Sequence, residues 1–185
     1  MKLMIASDIH GSAKYCRMLK DAFERECPDK LLLLGDLLYH GPRNDLPEEY
    51  DPKQTMEILN SLKDWIICVR GNCEAEVDQA VLDFPVLAEY CMLFVDGKTL
   101  LASHGHKIDE DDLPKLSEGD ILLGGHTHIP ACRTHDNGIL YVNPGSVSIP
   151  KKNSEHQYLI FENLVFTWKE MSGTVLKEYN ADHYE

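Results

Sequence analysis

Five short apolar runs in this chain each stop on a residue able to hold a metal ion. MIAS (4–7) ends in Asp8-Ile9-His10 and LLLL (31–34) in Gly35-Asp36. IICVR (66–70) ends in Gly71-Asn72-Cys73-Glu74, TLLAS (99–103) in His104-Gly105-His106, and DILLG (120–124) in Gly125-His126-Thr127-His128. Continuous apolar runs of this length fit strands buried on both faces, so strands are expected at 2–7, 30–34, 65–69, 98–103 and 120–124. In a sheet with parallel strands the C-terminal ends share one rim, and ligands bind there. Gly35, Gly71 and Gly125 each precede a polar residue and permit the close backbone approach that crowded ligands need.

The early strands alternate with helices. Residues 12–26 carry an apolar stripe (Tyr15, Met18, Leu19, Ala22, Phe23), with Ser12 as N-cap and Pro28 as punctuation. A second helix is expected at 52–63 and a third at about 74–82, where Glu74 and Glu76 suit the first turn. Later the connections become hairpins, at Asp96-Gly97, at Asn137-Gly138, and between 155–161 and 164–170. The longest loop is 39–52, with three prolines. One domain over 1–185 is expected, with mixed sheets packed as a sandwich and helices outside.

Composition removes several function classes. The chain has 185 residues, 18 Lys plus Arg against 31 Asp plus Glu, and a net charge of −13. Such an acidic chain repels a phosphate backbone, so stable nucleic-acid binding is not expected. No apolar run is long enough to span a membrane, and the opening MKLMIASDIHG does not read as a signal peptide. The six cysteines, at 16, 27, 68, 73, 91 and 132, include no CxxC pair. A reduced, cytoplasmic enzyme is expected.

The rim supplies Asp8, His10, Asp36, Asn72, His104, His126 and His128. That is more than one cation needs, and two cations about 3.5–4 Å apart would use all seven. Asp36 stands alone on its strand end and is the natural bridge. Carboxylate, imidazole and amide donors suit Mn, Fe, Zn or Co. In Asp8-x-His10 and His126-x-His128, alternate residues leaving a strand should face one side. Two divalent cations, two aspartates and a bridging hydroxide leave a charge of about +1, ready for an anionic phosphodiester. Imidazole ligands favour neutral to alkaline pH.

Other polar residues have plainer readings. Arg43 is either a bidentate donor to a substrate phosphate or a solvated or subunit-contact arginine. His106 points at the ligand shell or lines the pocket. His40, His135, His156 and His183 read as surface residues, and the acidic run Asp109 to Asp112 as a solvated helix start. Cys16, Cys27, Cys68, Cys91 and Cys132 read as small buried apolar residues. Asn143-Pro144-Gly145-Ser146 reads as a tight turn behind the site.

Taken in order, DIH, GD, GNCE, HGH and GHTH resemble the signature of the calcineurin-like metallophosphoesterases. GDLLYHGPR (35–43) and NPGS (143–146) bring the likeness closest to the small single-domain phosphodiesterases of the YfcE type. The motifs span residues 8 to 146. The resemblance implies an α/β fold, a four-layer α/β/β/α sandwich of two mixed β-sheets flanked by helices. It implies one cation on Asp8, His10, Asp36 and His128, and another on Asp36, Asn72, His104 and His126. Mn²⁺ is the first expectation, with Zn²⁺, Fe²⁺, Co²⁺ or Ni²⁺ as alternatives. The implied activity is hydrolysis of a small phosphodiester by a hydroxide activated between the two metals. Asn72 and His104 act there through that hydroxide and through substrate positioning, and Arg43 and His106 are candidate substrate contacts.

Many larger relatives have GNHE where this chain has Cys73. The histidine of those relatives reaches the scissile phosphate, whereas a thiol is a weak donor. A preference for good leaving groups follows. The alternatives are a phosphomonoesterase, or an interaction scaffold of the same fold, as in the retromer of eukaryotic trafficking. A homo-oligomer is plausible in the family.

Overall fold

Side-chain alternation explains why the apolar runs are continuous. In β1 (Leu3–Ala6), Leu3 and Ile5 face one core while Met4 and Ala6 face another, and all four are fully buried. β2 (Lys30–Leu33) follows α1 (Ala13–Glu26) and divides the same way, Leu32 to one side and Leu31 and Leu33 to the other. The first core lies under α1 and α2 (Pro52–Asn60), where Leu19, Phe23 and Leu59 meet Met4, Leu31 and Leu33. The second lies between two sheets.

The computed structural model describes residues 1–109 and 116–182. After α2 come β3 (Ile66–Cys68), α3 (Glu76–Val81), β4 (Tyr90–Val95), β5 (Lys98–Ser103) and β6 (Ile121–Leu123). The chain then runs through β7 (Ala131–Thr134), β8 (Leu140–Asn143), β9 (Gln157–Glu162), β10 (Val165–Glu170) and β11 (Val175–Asn180). One sheet has the order β11-β10-β9-β1-β2-β3 and the other β4-β5-β6-β8-β7. Strands β1, β2 and β3 are mutually parallel, as are β5, β6 and β8, and hairpin partners make both sheets mixed. Leu3, Ile5 and Leu32 interlock with Leu100, Ile121, Leu123 and Phe166 between the sheets. The fold class is therefore as expected: two mixed sheets, face to face, with helices outside.

Local chemistry sets the element ends. The Ser12 hydroxyl accepts the Tyr15 N–H (3.3 Å) and caps α1, while Cys27 ends it in a left-handed turn. Cys27 is exposed, unlike the buried cysteine expected there, because it is the cap and not part of the stripe. Helix α2 stops at Asn60, short of the expected 63, because the Ser61 hydroxyl turns back onto the Ile58 carbonyl (2.6 Å) and a 3₁₀ turn follows at Lys63–Trp65. His156 is not a surface residue: its ring stacks on Tyr15 with centroids 3.8 Å apart. From position 110 the acidic run lies outside the described residues, as does His183.

A partly buried ion cluster ties helix α1 to the first sheet. Glu26 accepts from Lys169 Nζ and the Tyr158 hydroxyl, each at 2.8 Å, and from Lys2 Nζ at 3.0 Å. Among the described residues no helix is long and apolar enough to cross a membrane.

Candidate metal centre

The parallel strand ends bring the five polar motifs together, and main-chain bonds stitch their turns. The Asp8 N–H donates to the Gly35 carbonyl (3.1 Å), His10 N–H to Asp36 (2.9 Å), and Gly125 N–H to His104 (2.8 Å). Two glycines leave room for ligands. A Cβ on Gly71 would stand 2.2 Å from Asp36 Oδ1, and one on Gly125 would stand 2.1 Å from Ser7 Oγ. The expected pairing of alternate residues does not come from extended strand. Asp8, His10, Asp36, His126 and His128 all have left-handed backbones, with φ between 50° and 65°. These are corners, and each corner aims one donor inward. His126 and His128 consequently diverge, His126 toward His104 and His128 toward His10.

Three histidines are fixed by their outer nitrogens. His10 Nδ1 lies 2.8 Å from the Tyr39 carbonyl, His104 Nδ1 2.6 Å from Leu34, and His128 Nδ1 2.7 Å from Ile149. Donating Nδ1–H to a carbonyl reserves Nε2 as the metal-binding atom, which offers its lone pair whenever the ring is neutral. His10 Nε2 and His128 Nε2 then face each other at 3.2 Å. Both are close to Asp8 Oδ1, at 3.6 and 3.3 Å, and that oxygen is buried with no hydrogen-bond partner. Two imidazole nitrogens converging on an orphaned carboxylate oxygen make three donor atoms, a set that fits a cation.

A second cluster adjoins the first. Asp36 Oδ2 lies 3.7 Å from His10 Nε2 and 3.5 Å from His104 Nε2. His104 Nε2 in turn lies 3.2 Å from Asn72 Oδ1 and 3.3 Å from His126 Nδ1. Asp8 with His10 and His128, and Asp8 with Asp36 and His104, each present donor atoms within 4.8 Å of one another. Together they form a dinuclear metal-binding site.

Charge is managed by the same contacts. Burial pushes the Asp8 carboxyl up, but the neighbouring His10, His128 and His104 rings outweigh it and hold the group well below the usual range. Asp36 is lowered too, with His104 outweighing burial. Burial, then His104, lowers His126, and the Arg43 charge adds to this.

Cys73 donates its N–H to Asp36 Oδ1 (2.9 Å) and its S–H to Asp36 Oδ2 (3.3 Å). Burial and Asp36 push its thiol far up, so it stays neutral.

Several supporting residues were not anticipated. Glu74 precedes helix α3, is buried, and accepts N–H bonds from Asp36 (2.9 Å), Leu37 (2.7 Å) and Gly71 (2.5 Å). It pins the two turns that carry Asp36 and Asn72. Ser7 donates to Asp8 Oδ2 (2.6 Å), and Ser146 and Ser148 donate to the Asp8 carbonyl (2.9 and 3.1 Å). The only sequence signal for the last two is their place in or beside NPGS.

The centre opens into a cleft of about 760 Å³, whose walls include Tyr39, Arg43, Asn72, Cys73 and Lys151. His106 is not among the lining residues. Its ring packs beside His104 (centroids 5.3 Å apart) and His126 (6.1 Å).

Comparison with known proteins adds four findings. Residues 1–163 match the calcineurin-like phosphoesterase superfamily domain. The chain is 42% identical over 167 residues to the phosphodiesterase YfcE of Escherichia coli K12, covering 90% of each protein. A solved structure of YfcE, described as a phosphoesterase from E. coli, superposes with a TM-score of 0.94 at 39% identity, covering 98% of this chain and 100% of that one. Vps29 of Entamoeba histolytica, solved with Zn²⁺, shares the fold at a TM-score of 0.65 and 19% identity, covering 98% of this chain and 99% of that one.

Proposed function

The chain belongs to the calcineurin-like phosphoesterase superfamily, and from that premise we propose that it hydrolyses phosphodiesters with two divalent cations held on either side of Asp36. The carrying observation is the position of Asp36 Oδ2 between His10 Nε2 (3.7 Å) and His104 Nε2 (3.5 Å). Asp8, His10 and His128 complete one side, and Asn72, His104 and His126 the other. We take Mn²⁺ as the first choice, with Zn²⁺, Fe²⁺, Co²⁺ or Ni²⁺ as alternatives, all compatible with imidazole, carboxylate and amide donors. Bound there, divalent cations would supply charge to offset the phosphoryl oxygens and would lower the pKa of a coordinated water toward ~7.

The protein's own groups shape the outcome. Asp8 and Asp36 stay ionised, so neither competes for the proton leaving the water. Asn72 Oδ1 lies 3.2 Å from His104 Nε2, which brings these two donors of the second side together. Arg43 on the cleft wall offers a forked donor to an anionic substrate oxygen. Cys73 is a neutral thiol already committed to Asp36, so it gives the departing alkoxide little help. Diesters with good leaving groups, such as phenolates, are therefore the better substrates. Six free cysteines suit a reducing compartment, which is the basis for placing the enzyme in the cytoplasm.

The direct test is hydrolysis of bis-p-nitrophenyl phosphate by metal-stripped protein with and without Mn²⁺. A large Mn²⁺-dependent rate, lost in Asp36→Asn, is expected. No rate with Mn²⁺, Zn²⁺, Co²⁺ or Fe²⁺ in folded protein would leave a non-catalytic scaffold as the better reading.

A further inference from the structure

The cleft wall carries more positive charge than one phosphodiester needs. Among the described residues, four lysines and arginines have no carboxylate, hydrogen-bond or aromatic-ring partner for their charged ends: Arg43, Lys53, Lys151 and Lys152. Two of these, Arg43 and Lys151, line the cleft, and Lys152 is next to one of them in sequence. In a chain with 31 acidic residues against 18 basic ones, the cleft lining contains a single carboxylate, the buried Asp36. Several acids elsewhere pair with other cations: Glu48 with Lys14, Glu49 with Arg17, and Glu89 with Lys107.

The two cleft cations also sit on backbone tied to the centre. The Lys151 N–H donates to the His128 carbonyl (3.1 Å). On the other loop, the Tyr39 carbonyl meets His10 Nδ1 (2.8 Å). Asn44 then closes a turn around Arg43, its N–H bonding the Gly41 carbonyl (3.2 Å) and its side chain the His40 carbonyl (2.9 Å). Both loops are therefore anchored to residues of the metal centre, the kind of support that makes a charged group a binding element. A scissile diester carries one negative charge, which the centre already neutralises. The cleft of about 760 Å³ has room for a ligand far larger than a phosphate.

We infer that Arg43 and Lys151 form a second anion subsite at the wall of the cleft, so that the preferred substrates are phosphodiesters bearing a further phosphate group. This rests on the phosphodiesterase reading of the centre itself. Arg43 supplies the planar fork that matches a phosphate, and Lys151 supplies a point charge. The second group lies away from the reacting phosphorus, so its benefit should appear mainly in KM.

A matched pair of probes tests this: thymidine 5′-(p-nitrophenyl phosphate) and the same compound with a 3′-phosphate. Their leaving group is identical. The Mn²⁺-loaded protein should show a kcat/KM about tenfold or more higher for the 3′-phosphorylated diester, carried by KM and shrinking at high salt. Arg43→Ala and Lys151→Ala should each bring the ratio toward one, whereas Lys53→Ala, outside the cleft, should leave it unchanged. Equal kcat/KM values in the parent protein, or an equal loss of preference in Lys53→Ala, would overturn the subsite. Calorimetry with thymidine 3′,5′-bisphosphate against thymidine 5′-monophosphate decides the same point by binding, and equal affinities would reject it. Failure to hydrolyse either diester while the bisphosphate binds more tightly would instead reject the phosphodiesterase reading and keep the subsite.

Discussion

His10 and His128 point their Nε2 atoms at each other across 3.2 Å, while each ring gives its other nitrogen to a main-chain carbonyl. Two lone pairs at that distance repel unless a positive charge joins them. A cation there removes the repulsion and satisfies Asp8 Oδ1. Saturating Mn²⁺ should therefore raise the unfolding temperature by roughly 5–10 °C, the value for a ligand at about a hundredfold over its Kd in a domain of this size. Excess chelator should reverse the rise, and His128→Ala should remove much of it. Identical melting curves with and without Mn²⁺ would contradict the site.

Metal binding should also expel a proton from His104. Burial disfavours the charged ring, but the hydrogen bond to Asp36 and the charges of Asp8 and Asp36 prevail and raise it to about 9. At pH 7 the metal-free ring thus holds a proton on Nε2, where the cation must bind. Raising the pH removes this competitor, so apparent Mn²⁺ affinity should climb between pH 6 and 9, by up to about tenfold per unit for each proton lost. Calorimetry in two buffers of different ionisation enthalpy measures that release directly. A heat independent of buffer would refute it.

Cys73→His should widen the substrate range. The new imidazole would stand beside Asp36 at the mouth of the centre and could protonate a departing alkoxide. Turnover of alkyl diesters should rise by about 10²-fold, the lower end for general-acid help, while bis-p-nitrophenyl phosphate changes little. Parallel rate assays on the two ester types decide the matter, and no gain on alkyl esters would show that Cys73 does not limit the reaction.

Away from the site, Glu26 should govern part of the acid sensitivity of the fold. Burial alone would raise its carboxyl, but Lys169, Lys2 and Tyr158 together hold it at about 2. Its folded value lies below its unfolded one. The stabilisation is therefore complete above the ordinary glutamate range and is lost as pH falls toward about 2. Glu26→Gln should cost about 2 kcal/mol at neutral pH. It should also flatten the decline in stability over the acid range, as measured by denaturant unfolding at a series of pH values. An unchanged pH profile would mean that the cluster is not coupled to folding.

The sheets and their rim were legible because apolar runs buried on both faces leave no ambiguity about where a strand stops, and the ligand follows at once. Strand β11 was not, since Val175–Asn180 is largely exposed and carries Lys177 and Glu178, a composition shared with loops. Glu74 was misread for a related reason. An acid just before a helix suits the first turn, and only the folded arrangement of Asp36, Leu37 and Gly71 turns it into a buried acceptor. Lys151 carried no motif at all, because its relevance depends on a loop returning from β8 to the His128 corner.

The left-handed corners carry a consequence for how such a centre is lost. Asp8, His10, Asp36, His126 and His128 occupy conformations that glycine or asparagine adopts more readily, at a cost on the order of 1 kcal/mol each. Aspartate and histidine tolerate such corners better than most side chains but still at a cost, and bound cations offset that cost. Once the cations are no longer used, each exchange to asparagine or glycine relaxes a corner without disturbing the layers beneath. The sandwich can outlive its catalysis, and its inactive descendants should be no less robust than the parent.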